Sequence, residues 1–324
     1  MANIAYLVSY RPDFAERIRR EIGAEPLIVA SDGNGLYSEE ALAKLADVDA
    51  LIVANEPVTE QVFAACGKLK IVQRLGVGYE NVDLEAATRR GIPCCNLAGV
   101  NKEAVAEHCM AMILALARNL VPTDAKTRAS QWQEARMGMG SVFELKGKAL
   151  GIIGFGDIGS NLAKRARAFD MDIFYNDIRP IDDRVVESVG AKFLEKDALY
   201  ATADIISINV NFNETAAGMI DAKALSLMKP GGYLICCARG GIVDEHALGD
   251  ALNEGRLAGA GIDVFSEEPF PEDNPLLAAK NVLLTPHIAG ASREAAKRSF
   301  QYAHDNVRRV VERGEKPYWA VNSV

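Results

Sequence analysis

The sequence lacks the features that direct a protein to a membrane or to a nucleic acid. Its longest apolar run, residues 110–117, is too short to cross a bilayer. The formal net charge is -8, and no basic face is visible for nucleic acid or anionic lipid. The first eight residues carry no basic segment ahead of an apolar one, so we expect no signal peptide. These absences favour a cytoplasmic protein whose partner is a small molecule.

Cysteine and histidine are both scarce. Six cysteines are present without C-x-x-C spacing, which indicates neither a zinc site nor a disulfide framework in a chain of this length. We therefore expect buried, reduced thiols and no metal. Only four histidines occur, which restricts the groups that can exchange a proton near neutral pH.

The chain of 324 residues is longer than one hydrophobic core usually supports, so two domains are expected. Short apolar runs alternate with helix-length amphipathic segments, which is typical of parallel sheets with helical crossovers. We predict strands of a first α/β domain at residues 3–9, 26–30, 50–54, 70–74 and 94–96. A second series is predicted at residues 149–154, 172–176, 205–210, 233–238, 258–264 and 281–285. Six strands are the number that a full dinucleotide-binding sheet needs.

Two long helices are predicted to connect the domains. Residues 101–120 read as one helix with Asn101 as its N-cap, and its apolar circumference predicts burial as a bridge between domains or subunits. A helix at residues 293–312 could return the chain to the first domain. The smaller domain would then be discontinuous, with residues 1–100 and 291–324, and the larger would span residues 101–290. Two domains in series with a C-terminal tail are the alternative.

A glycine fingerprint follows the first strand of the second series. Gly154, Gly156 and Gly159 form a G-x-G-x-x-G that opens a helical run at residues 160–168. Glycine permits the tight turn and the close approach of backbone to pyrophosphate, and the helix N-terminus offers N–H groups to the anion. The next strand ends at Asp177, eighteen residues after Gly159, where a carboxylate can accept hydrogen bonds from the ribose. NAD is therefore expected over NADP.

One alternative and two observations qualify this fingerprint. A glycine-rich turn with a chance acid downstream is the alternative. Asp157 places a negative charge near the expected pyrophosphate, and Arg179 could help to accept the 2′-phosphate of NADP.

Three ionisable residues follow successive strands of the second series. Arg239 follows the fourth strand, Glu268 the fifth and His287 the sixth. Ligands of open α/β sheets lie beyond the carboxyl ends of the strands, so these side chains are expected to border one crevice. Their types suit hydride transfer to a 2-keto acid: an arginine grips the carboxylate, a histidine exchanges the proton, and a glutamate supports the histidine.

The structural alternative applies to each of these residues in isolation. Arg239 or Glu268 alone could be a solvated loop charge. The other three histidines are expected to be structural, because they lie in predicted helices: His108, His246 and His304.

Together, five stretches resemble the D-isomer-specific 2-hydroxyacid dehydrogenases, which include phosphoglycerate dehydrogenases and glyoxylate/hydroxypyruvate reductases. The stretches are RLGVGYENVD at residues 74–83, the glycine fingerprint, CARGGIVDE at 237–245, GIDVFSEEP at 261–269 and TPHIAGA at 285–291. The resemblance implies two doubly wound parallel-sheet domains, the larger a Rossmann domain and the smaller flavodoxin-like, and a homodimer clasped through the bridging segment. It also implies that Arg239, Glu268 and His287 are the catalytic set.

The resemblance, with the fingerprint, assigns further residues to ligands. The residues expected at NAD are Val77, Gly154, Gly156, Asp157, Ile158, Gly159, Asp177, Val210, Cys237, Ala238, Arg239, Asp263, His287 and Gly290. Those expected at the substrate are Arg74, Gly76, Val77, Gly78, Arg239 and His287. Arg74 matches a position that serves a phosphorylated substrate in phosphoglycerate dehydrogenases, although an arginine after a strand is as often a structural partner.

One departure and two alternatives accompany the resemblance. Residues 209–213 read Asn-Val-Asn-Phe-Asn where the family commonly has His-x-Pro-Leu-Thr, on the cofactor side. An enzyme acting on phosphite is one alternative, whereas formate enzymes of this kind usually carry glutamine in place of Glu268. A corepressor that senses NAD without turnover is the other, because a fold does not prove catalysis.

Overall fold

The computed structural model describes residues 2–8, 12–23, 25–32 and 35–324. The chain divides into two compact units, which we call the small unit (Met1–Asn101 with Ser292–Val324) and the large unit (Lys102–Ala291). Each boundary lies one residue from the expected one. The alternative of two domains in series does not fit this division, because the small unit contains both ends of the chain.

The small unit is built on a parallel sheet. Its strands, within the described residues, are β1 (Ile4–Leu7), β2 (Leu27–Val29), β3 (Ala50–Val53), β4 (Ile71–Arg74) and β5 (Cys94–Cys95). Their order, β2-β1-β3-β4-β5, is that of flavodoxin-like folds, as the resemblance implies. The strand predicted at residues 3–9 is present as β1, and Ser9 lies outside the described residues.

Helices cover both faces of this sheet. They are α1 (Pro12–Ile22), α2 (Glu39–Ala43), α3 (Glu60–Ala65), α4 (Leu84–Arg89) and the C-terminal α13 (Arg293–Val311). Successive side chains of a strand point to opposite faces, so Leu7 packs into the core with Phe63 while Tyr6 packs with Phe300 of α13. The predicted return of the chain to the first domain through a C-terminal helix is thus confirmed.

The large unit is built on a second parallel sheet. Its strands are β6 (Ala149–Ile153), β7 (Asp172–Asn176), β8 (Lys192–Phe193), β9 (Ile205–Ile208), β10 (Gly232–Cys236), β11 (Leu257–Ile262) and β12 (Val282–Leu284). The order β12-β11-β10-β9-β6-β7-β8 is the doubly wound Rossmann order with one strand added at its β12 edge. The prediction of six strands is wrong by one. The two-residue edge strand β8 has both side chains exposed and therefore leaves no apolar run in the sequence.

The helices of the large unit correct a second prediction. They are α5 (Lys102–Ala117), α6 (Leu120–Arg128), α7 (Trp132–Met137), α8 (Asp157–Arg167), α9 (Asp183–Val189), α10 (Lys196–Thr202), α11 (Ala222–Leu227) and α12 (Glu245–Asn253), with short 3₁₀ turns at Gly138–Ser141 and Pro275–Ala278. The helix predicted at 101–120 ends at Ala117, because Asn119 adopts a left-handed conformation with φ 50°. Asn101 does not cap α5, since its buried side-chain oxygen has no hydrogen-bond partner.

The apolar character of α5 is explained inside one unit. Its buried side chains, such as Met112 and Ile113, belong to a core shared with Leu162 of α8, so burial between domains or subunits is not needed to explain them. Over the described ranges no single helix is long and apolar enough to span a membrane; α5 and α6 pass by length and composition only as a pair bent by 62°.

The expectation of buried cysteine thiols holds for all of the cysteines but Cys66. All six are free thiols; Cys66 is half-buried and the other five are buried. Burial raises the pKa of the Cys66 thiol to about 12, so partial exposure does not make it a thiolate near neutral pH.

A buried histidine links α13 to the sheet of the small unit. The Nδ1 of His304 lies 2.8 Å from the carbonyl oxygen of Phe300, and its Nε2 lies 2.7 Å from the hydroxyl of Tyr6. A carbonyl can only accept, so Nδ1 carries the proton and Nε2 accepts from Tyr6. Burial, with a smaller contribution from Arg308, lowers the pKa of His304. The folded small unit therefore holds this ring neutral.

This histidine predicts a loss of stability in mild acid. The pKa of His304 is lower in the folded chain than its unfolded value of about 6.5, so acidification below that value favours the unfolded state. We expect the melting temperature to fall more steeply from about pH 7.5 to 5.5 in the wild type than in His304→Asn, which cannot titrate. The exposed His246→Asn is the matched control and should follow the wild type. Parallel pH curves for the wild type and His304→Asn would contradict this assignment.

Candidate active site

The fingerprint forms a turn in which two positions, Gly154 and Gly159, fit only glycine. Gly154 follows β6 with φ +89°, and a Cβ there would lie 2.6 Å from the backbone oxygen of Asn209. A Cβ at Gly159 would overlap the carbonyl oxygen of Gly154, so the first turn of α8 packs directly on the loop. Helix α8 begins at Asp157 after Gly156 as N-cap. Its free N–H groups are thereby exposed to an anion at the end of β6.

The acid at the end of β7 is tied to this turn. Asp177 accepts hydrogen bonds from the backbone N–H groups of Phe155 (2.8 Å) and Arg179 (2.9 Å). Its side chain is only 5% exposed, whereas that of Arg179 is 70% exposed. A guanidinium nitrogen of Arg179 lies 3.4 Å from the position of a Cβ on Gly156. The carboxylate of Asp177 thus holds the loop after β7 against the glycine turn, and the guanidinium of Arg179 lies beside Gly156 of that turn.

Two other features border the turn. Lys102 of α5 lies 3.6 Å from the carboxylate of Asp157, so the negative charge near the anion position has a partner. The buried Oδ1 of Asn209, next to Gly154, has no hydrogen-bond partner within the described residues. A glycine-lined turn, a helix N-terminus and an unpaired acceptor together fit a dinucleotide, which Gly154, Gly156 and Asn209 would help to hold.

His287 and Glu268 form a hydrogen-bonded pair. Oε2 of Glu268 lies 2.7 Å from Nδ1 of His287, and Oε1 accepts from the backbone N–H of Phe265 at 3.0 Å. The side chains are 47% and 36% exposed, so the pair is accessible. A carboxylate fixed at one end by a backbone amide holds the imidazole at the other in one orientation.

His287 is held in a strained conformation by a buried carboxylate. Its φ is +53°, a region that costs a non-glycine residue about 1 to 3 kcal/mol. Asp263, 0% exposed, accepts hydrogen bonds from the backbone N–H groups of Ile288 (2.9 Å) and Ala289 (2.8 Å) and from the hydroxyl of Thr285 (2.5 Å). Its backbone carbonyl accepts from the N–H of His287 at 2.7 Å. These bonds hold the histidine loop on the end of β11.

Arg239 lies on a loop in contact with the one that carries Glu268. Arg239 follows β10, and one guanidinium nitrogen donates to the carbonyl of Ala238 at 2.8 Å. The next residue, Gly240, packs so closely on the backbone of Phe265 that a Cβ would overlap its carbonyl oxygen. The ends of β10, β11 and β12 thus bring the three predicted residues to one edge of the sheet. Because β8 was missed, these are the fifth, sixth and seventh strands of the unit.

One group of potential metal ligands occurs within the described ranges. His108, Cys237 and Asp263 place ligand atoms within 4.8 Å of one another. The Thr285 hydroxyl, however, is hydrogen-bonded to both His108 (3.1 Å) and Asp263. The pKa of the Cys237 thiol is raised by its hydrogen bond with Cys109 and by burial, which disfavours a thiolate ligand. The geometry favours a hydrogen-bond network over a cation site.

The remaining predicted residues fall into two groups. In the small unit, Gly76, Val77 and Gly78 form the loop after β4, and Arg74 is 9% exposed, with its guanidinium donating to the carbonyls of Gly78 (2.8 Å) and Val53 (3.2 Å). In the large unit, Val210 packs on Gly154. Ile158 lies in the fingerprint helix α8, Cys237 and Ala238 directly follow β10, and Gly290 lies in a turn three residues after His287. Their roles remain predictions.

Sequence reasoning missed two polar residues behind His287. From the sequence, Thr285 has no role beyond its place in the stretch TPHIAGA, and His108 is expected to be structural. The signal that could have found His108 is a histidine directly before the apolar stretch 109–117 of α5, since a half-buried ring nitrogen needs a polar partner.

Comparison with known proteins identifies the family. Residues 110–289 match the D-isomer specific 2-hydroxyacid dehydrogenase, NAD binding domain. A glyoxylate reductase from Thermococcus litoralis is 42% identical over 259 residues, 78% of this chain and 78% of that protein. The chain belongs to the D-isomer specific 2-hydroxyacid dehydrogenases. NAD is its cofactor, and its reaction is an oxidoreduction of a 2-hydroxy acid.

Two further relatives extend the comparison over most of the chain. A D-3-phosphoglycerate dehydrogenase from Methanocaldococcus jannaschii is 39% identical over 290 residues, 89% of this chain but 54% of that longer protein. A crystal structure of a Thermus thermophilus protein, 32% identical, superposes with a TM-score of 0.83 over 98% of this chain and 99% of that one. The two-sheet fold is therefore that of the family.

The close packing of Gly159 predicts a loss of cofactor affinity on substitution. In Gly159→Ala the new methyl group must displace α8 from the glycine turn, which moves the N–H groups that face the pyrophosphate. We expect the NADH dissociation constant, measured by fluorescence titration, to rise at least about tenfold. Gly140→Ala, where a Cβ meets nothing within 4 Å, is the matched control and should bind NADH normally. Unchanged affinity in Gly159→Ala would show that the cofactor does not depend on this turn.

Proposed function

We propose that this dehydrogenase reduces a small, unphosphorylated 2-keto acid such as glyoxylate or hydroxypyruvate to the 2-hydroxy acid, of D configuration where C2 becomes chiral, with His287, Glu268 and Arg239 as its acting side chains. The observation that carries the proposal is the accessible pair of His287 and Glu268, 2.7 Å apart, in which His287 lies on a loop that Asp263 fixes. NADH, when bound, supplies the hydride for C2 of the substrate. The chain itself supplies the proton and grips the carboxylate.

His287 exchanges the proton. Its Nδ1 is engaged by Glu268, so Nε2 is the nitrogen that meets the substrate oxygen. Histidine is suited to donate a proton near neutral pH and to accept it back in the reverse direction. A carboxylate hydrogen-bonded to Nδ1 fixes the plane and the tautomer of the ring, which is the role of Glu268 in this proposal.

Arg239 holds the carboxylate of the substrate. Its guanidinium can make a two-pronged, charge-assisted contact, and the cation also polarises a nearby carbonyl. The hydrogen bond to Ala238 and the close packing of Gly240 on Phe265 restrict where this side chain can point.

The geometry of Arg74 supports an unphosphorylated substrate. A phosphate-binding arginine would direct its fork outward, whereas Nε and Nη1 of Arg74 donate to the carbonyls of Gly78 and Val53. We assign Arg74 to supporting the Gly76–Gly78 loop, whose backbone N–H groups are able to bind a carboxylate. The glyoxylate reductase relative agrees with a small keto acid.

We also propose that the protein is a cytoplasmic homodimer without nucleic-acid or membrane partners. Support for the dimer comes from α7, where the apolar side chains of Trp132 and Met137 are 61% and 79% exposed. Large apolar side chains clustered in one segment are typical of an interaction surface.

The proposed activity predicts NADH oxidation with small 2-keto acids. A panel of glyoxylate, hydroxypyruvate, pyruvate and phosphohydroxypyruvate is tested with NADH and with NADPH, and oxidation is followed by absorbance. We expect the highest kcat/KM with NADH and either glyoxylate or hydroxypyruvate, and the phosphorylated acid to be poorer than hydroxypyruvate. Absence of turnover with every acid and both cofactors would reject the proposed function; phosphite oxidation by NAD, or nucleotide-dependent protein partners, would then support the alternatives.

The roles of His287 and Arg239 predict different kinetic defects. His287→Ala removes the proton donor and should lower kcat by about 10²- to 10⁴-fold with little change in the KM of the keto acid. Arg239→Ala removes the carboxylate contact and should lower kcat and raise KM together. His246→Ala is the surface control and should retain wild-type kinetics. Normal turnover in His287→Ala would remove this residue from the proton role.

A further inference from the structure

The donors and acceptors around Asp263 determine which atoms carry protons in the hydrogen-bond network next to the His287 loop. Asp263 accepts from the backbone N–H groups of Ile288 and Ala289, as an ionised carboxylate does. The Thr285 hydroxyl, 2.5 Å from Oδ1 of Asp263, therefore donates its single proton to this carboxylate. Its oxygen is left to accept, and the group 3.1 Å away is Nε2 of His108. His108 must then carry a proton on Nε2.

This chain of hydrogen bonds ends at the backbone N–H groups of Ile288 and Ala289, the two residues that follow His287. Oδ1 of Asp263 is shared by the Thr285 hydroxyl and the N–H of Ile288, so the hydroxyl helps to set the position of the oxygen to which Ile288 is bonded. The carbonyl of the same aspartate accepts from the N–H of His287. Since His287 has φ +53°, its direction depends on these bonds more than on its own preference.

We propose that His108 and Thr285 are positioning residues for His287, which act through the buried carboxylate of Asp263. Helix α5 supplies His108, whose side chain is 21% exposed and which the catalytic set does not include. Nε2 of His108 donates to the Thr285 hydroxyl, and this hydroxyl donates to the Asp263 carboxylate. These two hydrogen bonds keep the loop after β12 in one position at the end of β11. The proposal rests on the proposed role of His287 in proton exchange.

Two other roles for the same residues give different results. A network that only stabilises the fold would affect the melting temperature and not the kinetic constants of the folded protein. A network that only serves the cofactor, to which the family resemblance assigns Asp263, would change the dissociation constant of NADH. A positioning role lowers kcat, because a misplaced proton donor slows the chemical step without weakening ligand binding.

Substitutions in pairs separate these roles. Thr285→Val removes the hydroxyl and nearly keeps the shape of the side chain, whereas Thr285→Ser keeps the hydroxyl. His108→Leu removes the N–H donor of the ring, whereas His108→Gln replaces it with an amide donor. We expect Thr285→Val and His108→Leu to lower kcat for keto acid reduction roughly tenfold to a hundredfold. The KM of the keto acid and the dissociation constant of NADH should stay within about twofold. Thr285→Ser and His108→Gln should recover most of kcat, and the exposed His246→Leu should match the wild type.

The tautomer of His108 tests the proposal without any assay of activity. The chain has four histidines, so long-range ¹H–¹⁵N spectra of the ¹⁵N-histidine-labelled wild-type protein, assigned with single variants, can resolve each ring. His108 should appear with its proton on Nε2, whereas His304 should carry it on Nδ1.

The outcomes that overturn the proposal are distinct from failure of the proposed function. A proton on Nδ1 alone of His108, an unchanged kcat in Thr285→Val, or a defect confined to the melting temperature or to NADH binding would each contradict it. If the wild type reduced no 2-keto acid, the proposed function would fail, and the tautomer experiment would still decide the order of the hydrogen bonds.

Discussion

The carboxylate of Asp263 is the constraint on which the candidate active site depends. A buried ionised group without partners would cost several kcal/mol, so its hydrogen bonds to Thr285, Ile288 and Ala289 are needed for the large unit to fold with this residue in place. The same bonds bend the chain into the left-handed conformation that directs His287 outward. A requirement of folding and a requirement of the proposed proton exchange are thus met by one side chain.

Close backbone contacts at glycine complete the site. Gly240 lets the loop of Arg239 lie on the backbone of Phe265, whose N–H in turn holds Glu268. Gly154 and Gly159 do the same for the cofactor turn, where α8 packs on the end of β6. In each place the absence of a side chain allows two strand ends to meet, and the polar groups lie on loops at the carboxyl ends of the parallel strands.

Much of this arrangement could be predicted from the sequence because its signals are local. The apolar runs predicted the strands of both sheets apart from β8, and the spacing from Gly159 to Asp177 predicted the end of β7. The residues at successive strand ends identified Arg239, Glu268 and His287 as neighbours. The break at Asn119 was missed, since it comes from one left-handed residue and not from a change in hydrophobic pattern. His108 and Thr285 were missed as a pair because 177 positions separate them and only the fold brings them together.

The central claim is that the strand ends of the large unit, with His287 as proton donor, reduce a 2-keto acid to the hydroxy acid of one configuration. The most direct measurement is the configuration of the product formed from hydroxypyruvate and NADH, resolved by chiral chromatography. The account predicts D-glycerate as the single enantiomer. L-glycerate, or a mixture of the two, would contradict it.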